Sequence, residues 1–286
     1  MLHFKLPTDR IDYLQLAFPA TGLGLVAWWG TQITPFTVAA WDDPAASPGW
    51  QRTDGRQILS PDGEWVSVFD KDAGKVRITR VGSRKPTAVV DRDKVAENVW
   101  TAVAPGGVAV AWKDEPFTVV RALPGGEPIA RVKSGFGYDL RFSPGGRWLT
   151  EWGEGVFRVF DRNNNYKIFA RIRTPRWILA DVTDGLTAVV TAAGGAVAVW
   201  NLSGKSATAT LPVGGSVSAL AVSADGRRVL TGNLEGEVTL WDAGGTLLQR
   251  YDWGVKAPIA AAFARDGLRA AVGGTDGRIV IWDLDD

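Results

Sequence analysis

Gly277-Arg278-Ile279-Val280-Ile281-Trp282-Asp283 decides how the rest of this chain is read. A turn glycine opens it, β-branched residues follow, and it lands on a Trp-Asp pair, the composition of a short buried strand. The same signature stands at Gly236-Glu237-Val238-Thr239-Leu240-Trp241-Asp242. It recurs with changes at Val199-Trp200-Asn201, Val159-Phe160-Asp161 and Ala40-Trp41-Asp42.

Two rulers measure the spacing. Aligned on the tryptophan, the signature falls at Trp41, Thr79, Val120, Phe160, Trp200, Trp241 and Trp282, in steps of 38, 41, 40, 40, 41 and 41. The turn glycine before each unit's second strand falls at Gly22, Gly63, Gly107, Gly146, Gly185, Gly226 and Gly267, in steps of 41, 44, 39, 39, 41 and 41. Two series in phase predict seven repeated units.

Unit six predicts the content of each. Val217 to Val222 reads as a strand, Ser223-Ala224-Asp225-Gly226 as a tight turn, and Arg228 to Thr231 as a second strand. Val238 to Trp241 and Leu247 to Tyr251 follow as a third and an outer fourth. A sheet of this size cannot bury two apolar faces alone. Packing seven about one axis covers them all and leaves only short outer edges. The expectation is an all-β chain: one domain over residues 1–286, a seven-bladed β-propeller of four-stranded antiparallel blades.

The chain resembles the WD-repeat family of seven-bladed propellers over its length. The resemblance rests on Trp41-Asp42, Trp241-Asp242 and Trp282-Asp283, with the turns Ser60-Pro61-Asp62-Gly63 and Ser143-Pro144-Gly145-Gly146. It implies an interaction platform. Family members also carry a Gly-His pair whose histidine joins a buried network with the strand tryptophan. The sole histidine here is His3, and units two and three end in Thr79-Arg80 and Val120-Arg121. The blades are therefore expected to rely on packing more than on polar clamps, and 14 tryptophans suit that need. Trp65 and Trp148 are expected to pack between blades.

The last unit lacks an outer strand after Trp282-Asp283. The segment Leu2-His3-Phe4-Lys5-Leu6, ended by Pro7, has the length and alternation to supply it. The N-terminal strand is thus predicted to complete the last blade.

Composition narrows the function classes. Hydrophobic residues make up 45% and charged residues 22%, enough for a large core. Net charge is +1, which gives no general reason to bind nucleic acid or an anionic membrane. The absence of cysteine excludes disulfides and thiolate metal sites and fits a reducing compartment. The N-terminus has no apolar run of signal-peptide type, and no stretch is long enough to span a bilayer. The expected location is the cytoplasm.

Chemistry-bearing motifs are sparse. Asp70-Lys71-Asp72-Ala73-Gly74 and Asp161-Arg162-Asn163-Asn164-Asn165 begin like calcium loops but lack the closing glutamate, so turn geometry explains them. Gly194-Gly195 and Gly244-Gly245 lie between strands and open no helix, which argues against a phosphate loop. A Ser-His-Asp triad would need His3. We expect no catalytic residue, no cofactor and no metal. The alternative is a small-molecule-binding or hydrolase-like propeller using carboxylates in a central channel.

The resemblance also implies where a partner binds. In WD-repeat propellers the residues eight and ten before the turn glycine face the channel mouth. These are Leu14 and Asp12, Gly55 and Thr53, Val99 and Glu97, then Tyr138 and Phe136, Trp177 and Pro175, Ser218 and Ser216, and Ile259 and Ala257. Phe136, Tyr138 and Trp177, beside Arg173 and Arg176, form the part richest in interface residue types. Leu14, Val99 and Ile259 complete the candidate set. The implied partner is another protein or a peptide segment, with nucleic acid and membrane disfavoured and the chain monomeric or weakly self-associating. The charges Arg131, Lys133, Arg171, Arg173 and Arg176 otherwise read as edge-strand protection.

Overall fold

The computed structural model describes residues 1–6, 10–19, 25–30, 36–41, 51–53, 57–70, 72–81, 83, 85–92, 100–137, 139–175, 179–185, 187–191 and 195–284. Its strands make seven four-stranded antiparallel sheets. After β1 (Leu2–Lys5), the first sheet is built in order from β2 (Tyr13–Ala17), β3 (Leu25–Gly30), β4 (Phe36–Trp41) and β5 (Gln51–Thr53). The second holds β6 (Gln57–Leu59), β7 (Trp65–Asp70), β8 (Lys75–Arg80) and β9 (Ala88–Asp91). The third holds β10 (Thr101–Val103), β11 (Ala109–Asp114), β12 (Phe117–Ala122) and β13 (Pro128–Lys133). The fourth holds β14 (Asp139–Phe142), β15 (Trp148–Gly153), β16 (Val156–Asp161) and β17 (Lys167–Arg173).

The fifth holds β18 (Ala180–Val182), β19 (Thr187–Thr191), β20 (Val197–Asn201) and β21 (Ser206–Leu211). The sixth holds β22 (Val217–Val222), β23 (Arg228–Asn233), β24 (Val238–Asp242) and β25 (Leu247–Tyr251). The seventh takes β26 (Pro258–Phe263), β27 (Arg269–Gly274) and β28 (Arg278–Asp283), and β1 fills its outer position. The all-β, seven-bladed propeller read from the sequence is borne out, and so is the N-terminal strand completing the last blade. In the sixth sheet the observed strands exceed the predicted ones only at the ends of β23 and β24.

The closing ladder is specific in register: Leu2 pairs with Ile281, His3 with Val280, Phe4 with Ile279 and Lys5 with Arg278. Past the strand, Leu6 N donates to Gly277 O at 2.8 Å and Ile11 N to Thr275 O at 2.8 Å. Leu6 and Ile11 are both fully buried, so the segment is anchored by side chains as well as by backbone.

The turn-glycine ruler has a conformational cause. Gly63, Gly107, Gly146, Gly226 and Gly267 have φ of 68°, 64°, 76°, 73° and 73°, the left-handed region that other residues avoid. In the serine-led copies the turn is also locked by its first residue. Gly63 N donates to Ser60 O at 2.9 Å and Trp65 N to Ser60 Oγ at 2.9 Å. The corresponding pair at Ser223 reaches Gly226 N at 2.8 Å and Arg228 N at 2.9 Å. The tryptophan ruler has a cause too. In the third to sixth sheets the third strand carries a bulge against its outer strand at or beside the ruler residue, at Val120, Phe160, Trp200 and Trp241.

Contacts divide the chain into two compact units. One comprises Met1–Phe18, Trp29–Gln32 and Thr174–Asp286. In it β18, β22, β26 and β2 lie side by side in that order. Its core includes Val199, Leu211, Val229 and Trp241 between the fifth and sixth sheets. Leu230, Leu240, Val272 and Trp282 do the same between the sixth and seventh. The other unit comprises Pro19–Trp28 and Ile33–Arg173. There β6, β10 and β14 adjoin, and Ile78, Val110, Trp112, Leu140, Leu149 and Phe160 fill the spaces between sheets.

Trp148 is wholly buried, and Trp65 lies so flat on Gly107 of the next sheet that a Cβ there would come within 2.6 Å of its ring. Both tryptophans pack as expected.

The indole nitrogens of Trp65, Trp253 and Trp282 are buried without a hydrogen-bond partner among the described residues, in keeping with blades that rely on packing more than on polar clamps. Two polar contacts stand beside that packing. Trp241 Nε1 donates to Thr231 Oγ1 at 3.0 Å in the sixth sheet without a histidine. In the second unit a buried lysine and glutamate, Lys113 and Glu151, meet between the third and fourth sheets. They lie directly beneath the candidate site.

Candidate partner-binding surface

The site is built on the loop Ser134-Gly135-Phe136-Gly137, which joins β13 to β14. Ser134 N and Gly135 N both donate to Pro116 O at 3.0 Å. Gly135 has φ of 87°. Gly153 approaches so closely that a Cβ on it would stand 2.1 Å from Phe136 O. A Cβ on Gly137 would meet the Glu151 carboxyl carbon at 2.8 Å. The backbone is therefore clamped on three sides, while Phe136 as a residue is 50% exposed. It is the sole exposed phenylalanine among the described residues.

Beneath the loop sits a charged cluster. Lys113 Nζ donates to Glu151 Oε2 at 3.1 Å, to Ser134 Oγ at 2.8 Å, to Gly135 O at 2.9 Å and to Thr118 Oγ1 at 3.3 Å. Thr118 and Ser134 also donate to Glu151 Oε2. Arg158 Nη1 donates to Glu151 Oε1 at 3.1 Å. The side chains of Lys113 and Glu151 are 2% and 0% exposed, and that of Arg158 8%. Burial pushes the Lys113 ammonium below its ordinary value, with the Glu151 carboxylate pulling the other way. Glu151 receives donors at both oxygens, which is what a buried carboxylate requires.

The other expected residues are placed as follows. Arg173 is exposed at the end of β17, paired in register with Val156. Val156 in turn pairs with Gly153, which abuts Phe136. The same end of the fourth sheet thus carries both Phe136 and Arg173. Leu14 is buried, its Cδ2 only 2.4 Å from where a Cβ on Gly273 would be. Ile259 is half-buried in β26. Tyr138, Arg176, Trp177 and Val99 lie outside the described residues.

Arg131 reaches Asp114 at 2.9 Å and lies over the Phe117 ring at 4.3 Å, so it is spoken for inside the third sheet. Among the described residues no group of three His, Cys, Asp or Glu is arranged to hold a metal ion. No helix among them is long and apolar enough to cross a membrane.

Sequence reasoning missed Lys113, Glu151 and Arg158. A signal existed: Leu149-Thr150-Glu151-Trp152 sets a carboxylate within a strand otherwise built to be buried, and such a charge needs a partner.

Seven four-stranded antiparallel sheets, with the opening strand completing the last, define the class as a seven-bladed β-propeller. Residues 206–242 match the family described as WD domain, G-beta repeat, so the WD repeat recognised in the sequence is present. The matched span runs from β21 through β24, one outer strand followed by the first three strands of the next sheet. No curated protein matches the chain in sequence. Among solved structures it is similar in fold to a chain of the "Crystal Structure of Mitotic Checkpoint Complex". The TM-score is 0.76 at 14% identity, over 100% of this chain and 91% of that one. With 1687 solved chains of similar fold, the architecture by itself selects no partner.

Proposed function

We propose that this chain is a non-catalytic platform, one domain over residues 1–286, that binds another protein or a peptide segment of it. The observation that carries the reading is Phe136: a large apolar ring held out to solvent on a backbone that cannot relax. A rigid loop loses little conformational freedom on binding, and aromatic anchors beside arginine dominate interface energies. Propellers of the WD-repeat type commonly act as interaction scaffolds, and the protein complex containing the similar solved chain points the same way.

The proposed binding surface centres on Phe136 and Arg173 at one end of the fourth sheet, and Tyr138, Arg176 and Trp177 are assigned to the same set by sequence position alone. Leu14, Val99 and Ile259 belong to the same set of positions by alignment. The chain works as a monomer or weak self-associate in the cytoplasm, in keeping with its lack of cysteine.

The test compares capture of protein partners from the native source by wild type, Phe136→Ala, Trp177→Ala and Leu234→Ala, a control at another exposed apolar position. Capture lost in the first two variants and kept in the control, with unchanged melting, supports the reading. Equal capture by all four rejects it.

A further inference from the structure

We infer that the outer edge of β17 takes an extended acidic peptide, with carboxylates at alternate positions, as a fifth strand of the fourth sheet. This rests on the partner-binding reading above, since Arg173 belongs to both.

The charge pattern of the sheet is the first ground. Across it, Glu151 pairs with Arg158, and Arg158 stands directly opposite Arg171. Arg173 follows two residues on, so strand alternation puts all three arginines on one face. Like charges directly opposite one another destabilise a sheet. The one buried carboxylate in the row is already consumed by Lys113, Thr118, Ser134 and Arg158. Other carboxylates stand at this end: Glu154 in the β15–β16 turn near Gly135, Glu115 acting on Lys113, and Asp139 on β14, which is taken by Arg141 at 3.0 Å. Lys113 and Arg158 are held by Glu151, whereas Arg171 and Arg173, exposed on the same face, have no carboxylate within ion-pair distance among the described residues. A local rule broken in this way marks a place where a ligand supplies the missing charge.

Comparison with the other outer strands is the second ground. Three cations near them are matched from within: Lys75 reaches Asp91 at 3.2 Å, Arg131 reaches Asp114 at 2.9 Å and Arg250 reaches Glu237 at 3.0 Å, while Lys133 on β13 stands exposed as a single charge unmatched among the described residues. Strand β21 carries no charge at all. On β17, Lys167, Arg171 and Arg173 are exposed, and none forms an ion pair with a described residue.

The backbone is the third ground. Strand β17 ends its sheet, so its outer N–H and C=O groups face outward, and strand addition uses such groups for affinity and alternate side chains for selectivity. Arg171 and Arg173 stand about 6.6 Å apart along the strand, the repeat of alternate residues in any added strand. Two carboxylates spaced i and i+2 would each meet an arginine.

The test uses the full chain and three fluorescein-labelled probes: a peptide alternating Glu and Val, an isomer with the glutamates in one block, and a single-stranded oligonucleotide. Wild type is compared with Arg171→Glu/Arg173→Glu, with the milder Arg171→Gln/Arg173→Gln, and with Lys205→Glu/Lys256→Glu, which changes net charge equally elsewhere. The expected result is at least about tenfold tighter binding of the alternating peptide than of either other probe, lost in both arginine variants and kept in the lysine control. Equal losses in the arginine variants and the control, equal affinity for the block isomer, or equal affinity for the oligonucleotide would overturn the inference. Melting curves show that each variant is folded, and the glutamine pair serves if charge reversal unfolds the chain. Phe136-dependent capture of a partner alongside no peptide binding would remove the acidic strand and leave the platform intact.

Discussion

The Asp62 carboxylate of the second sheet accepts a hydrogen bond from the backbone N–H of Gly106 in the third, Oδ2 to N at 2.7 Å. Its other oxygen accepts from Glu64 N at 3.2 Å and from the Ser60 hydroxyl. One turn residue therefore closes its own turn and holds the neighbouring sheet. Asp181 does a similar job in the other unit, where its Oδ2 accepts from Val222 N at 2.9 Å. Replacing Asp62 by Ala leaves the Gly106 N–H without this acceptor and should cost about 1–3 kcal/mol. Denaturant unfolding of Asp62→Ala measures it, and a loss below about 0.5 kcal/mol would mean that water replaces the clamp without penalty.

Glu151→Gln is expected to be among the most damaging single changes in the second unit. It leaves Lys113 and Arg158 buried around a neutral amide, and breaking a buried pair from one side costs about 3–5 kcal/mol. Lys113→Met should cost less, because Arg158 still neutralises Glu151. Unfolding free energies of the two variants, measured side by side, decide the order.

Lys113 also makes a pH prediction. Burial lowers its affinity for the proton below the ordinary value of 10.5. Just below that pH the unfolded chain therefore binds more protons than the folded one, and stability rises with pH there. The difference in unfolding free energy between wild type and Lys113→Met should move in favour of wild type as pH climbs toward 10.5. A flat or opposite trend would show that Glu151 outweighs desolvation at this site.

Deleting residues 1–7 should lower the melting temperature by at least about 5 °C, since burial of Leu6 alone is worth about 1.5–3 kcal/mol and the lost ladder adds to it. An unchanged transition would sink the closing role of β1.

Trp241→Phe tests the remaining polar clamp. It keeps most of the buried ring but removes the donor to Thr231, and should cost about 1–2 kcal/mol. Trp148→Ala removes a whole buried side chain and should cost about 3–5 kcal/mol.

The period was legible because two backbone needs recur with it. Gly63, Gly146, Gly226 and Gly267 must adopt positive φ, and the strand carrying Phe160, Trp200 and Trp241 bulges beside those residues. Both needs restrict residue type, so both leave a trace in sequence. The charged cluster under Phe136 left a weaker trace. Lys113 and Glu151 lie 38 positions apart on different sheets, and their meeting depends on how two sheets face each other. Arg131, read as edge protection, turned out to serve Asp114 within its own sheet. Phe136 and Arg173 were legible as interface types. What the sequence did not reveal is why the loop bearing Phe136 is rigid, because that depends on the close approach of Gly153 to its backbone.

Pairing of Leu2–Lys5 with Arg278–Asp283 has a consequence during biosynthesis. Roughly 270 residues separate the two partners, so at about 5–20 residues per second a ribosome needs some 15–55 seconds to deliver the second after the first. Through that interval Phe4 and Leu6 have no mate on the nascent chain.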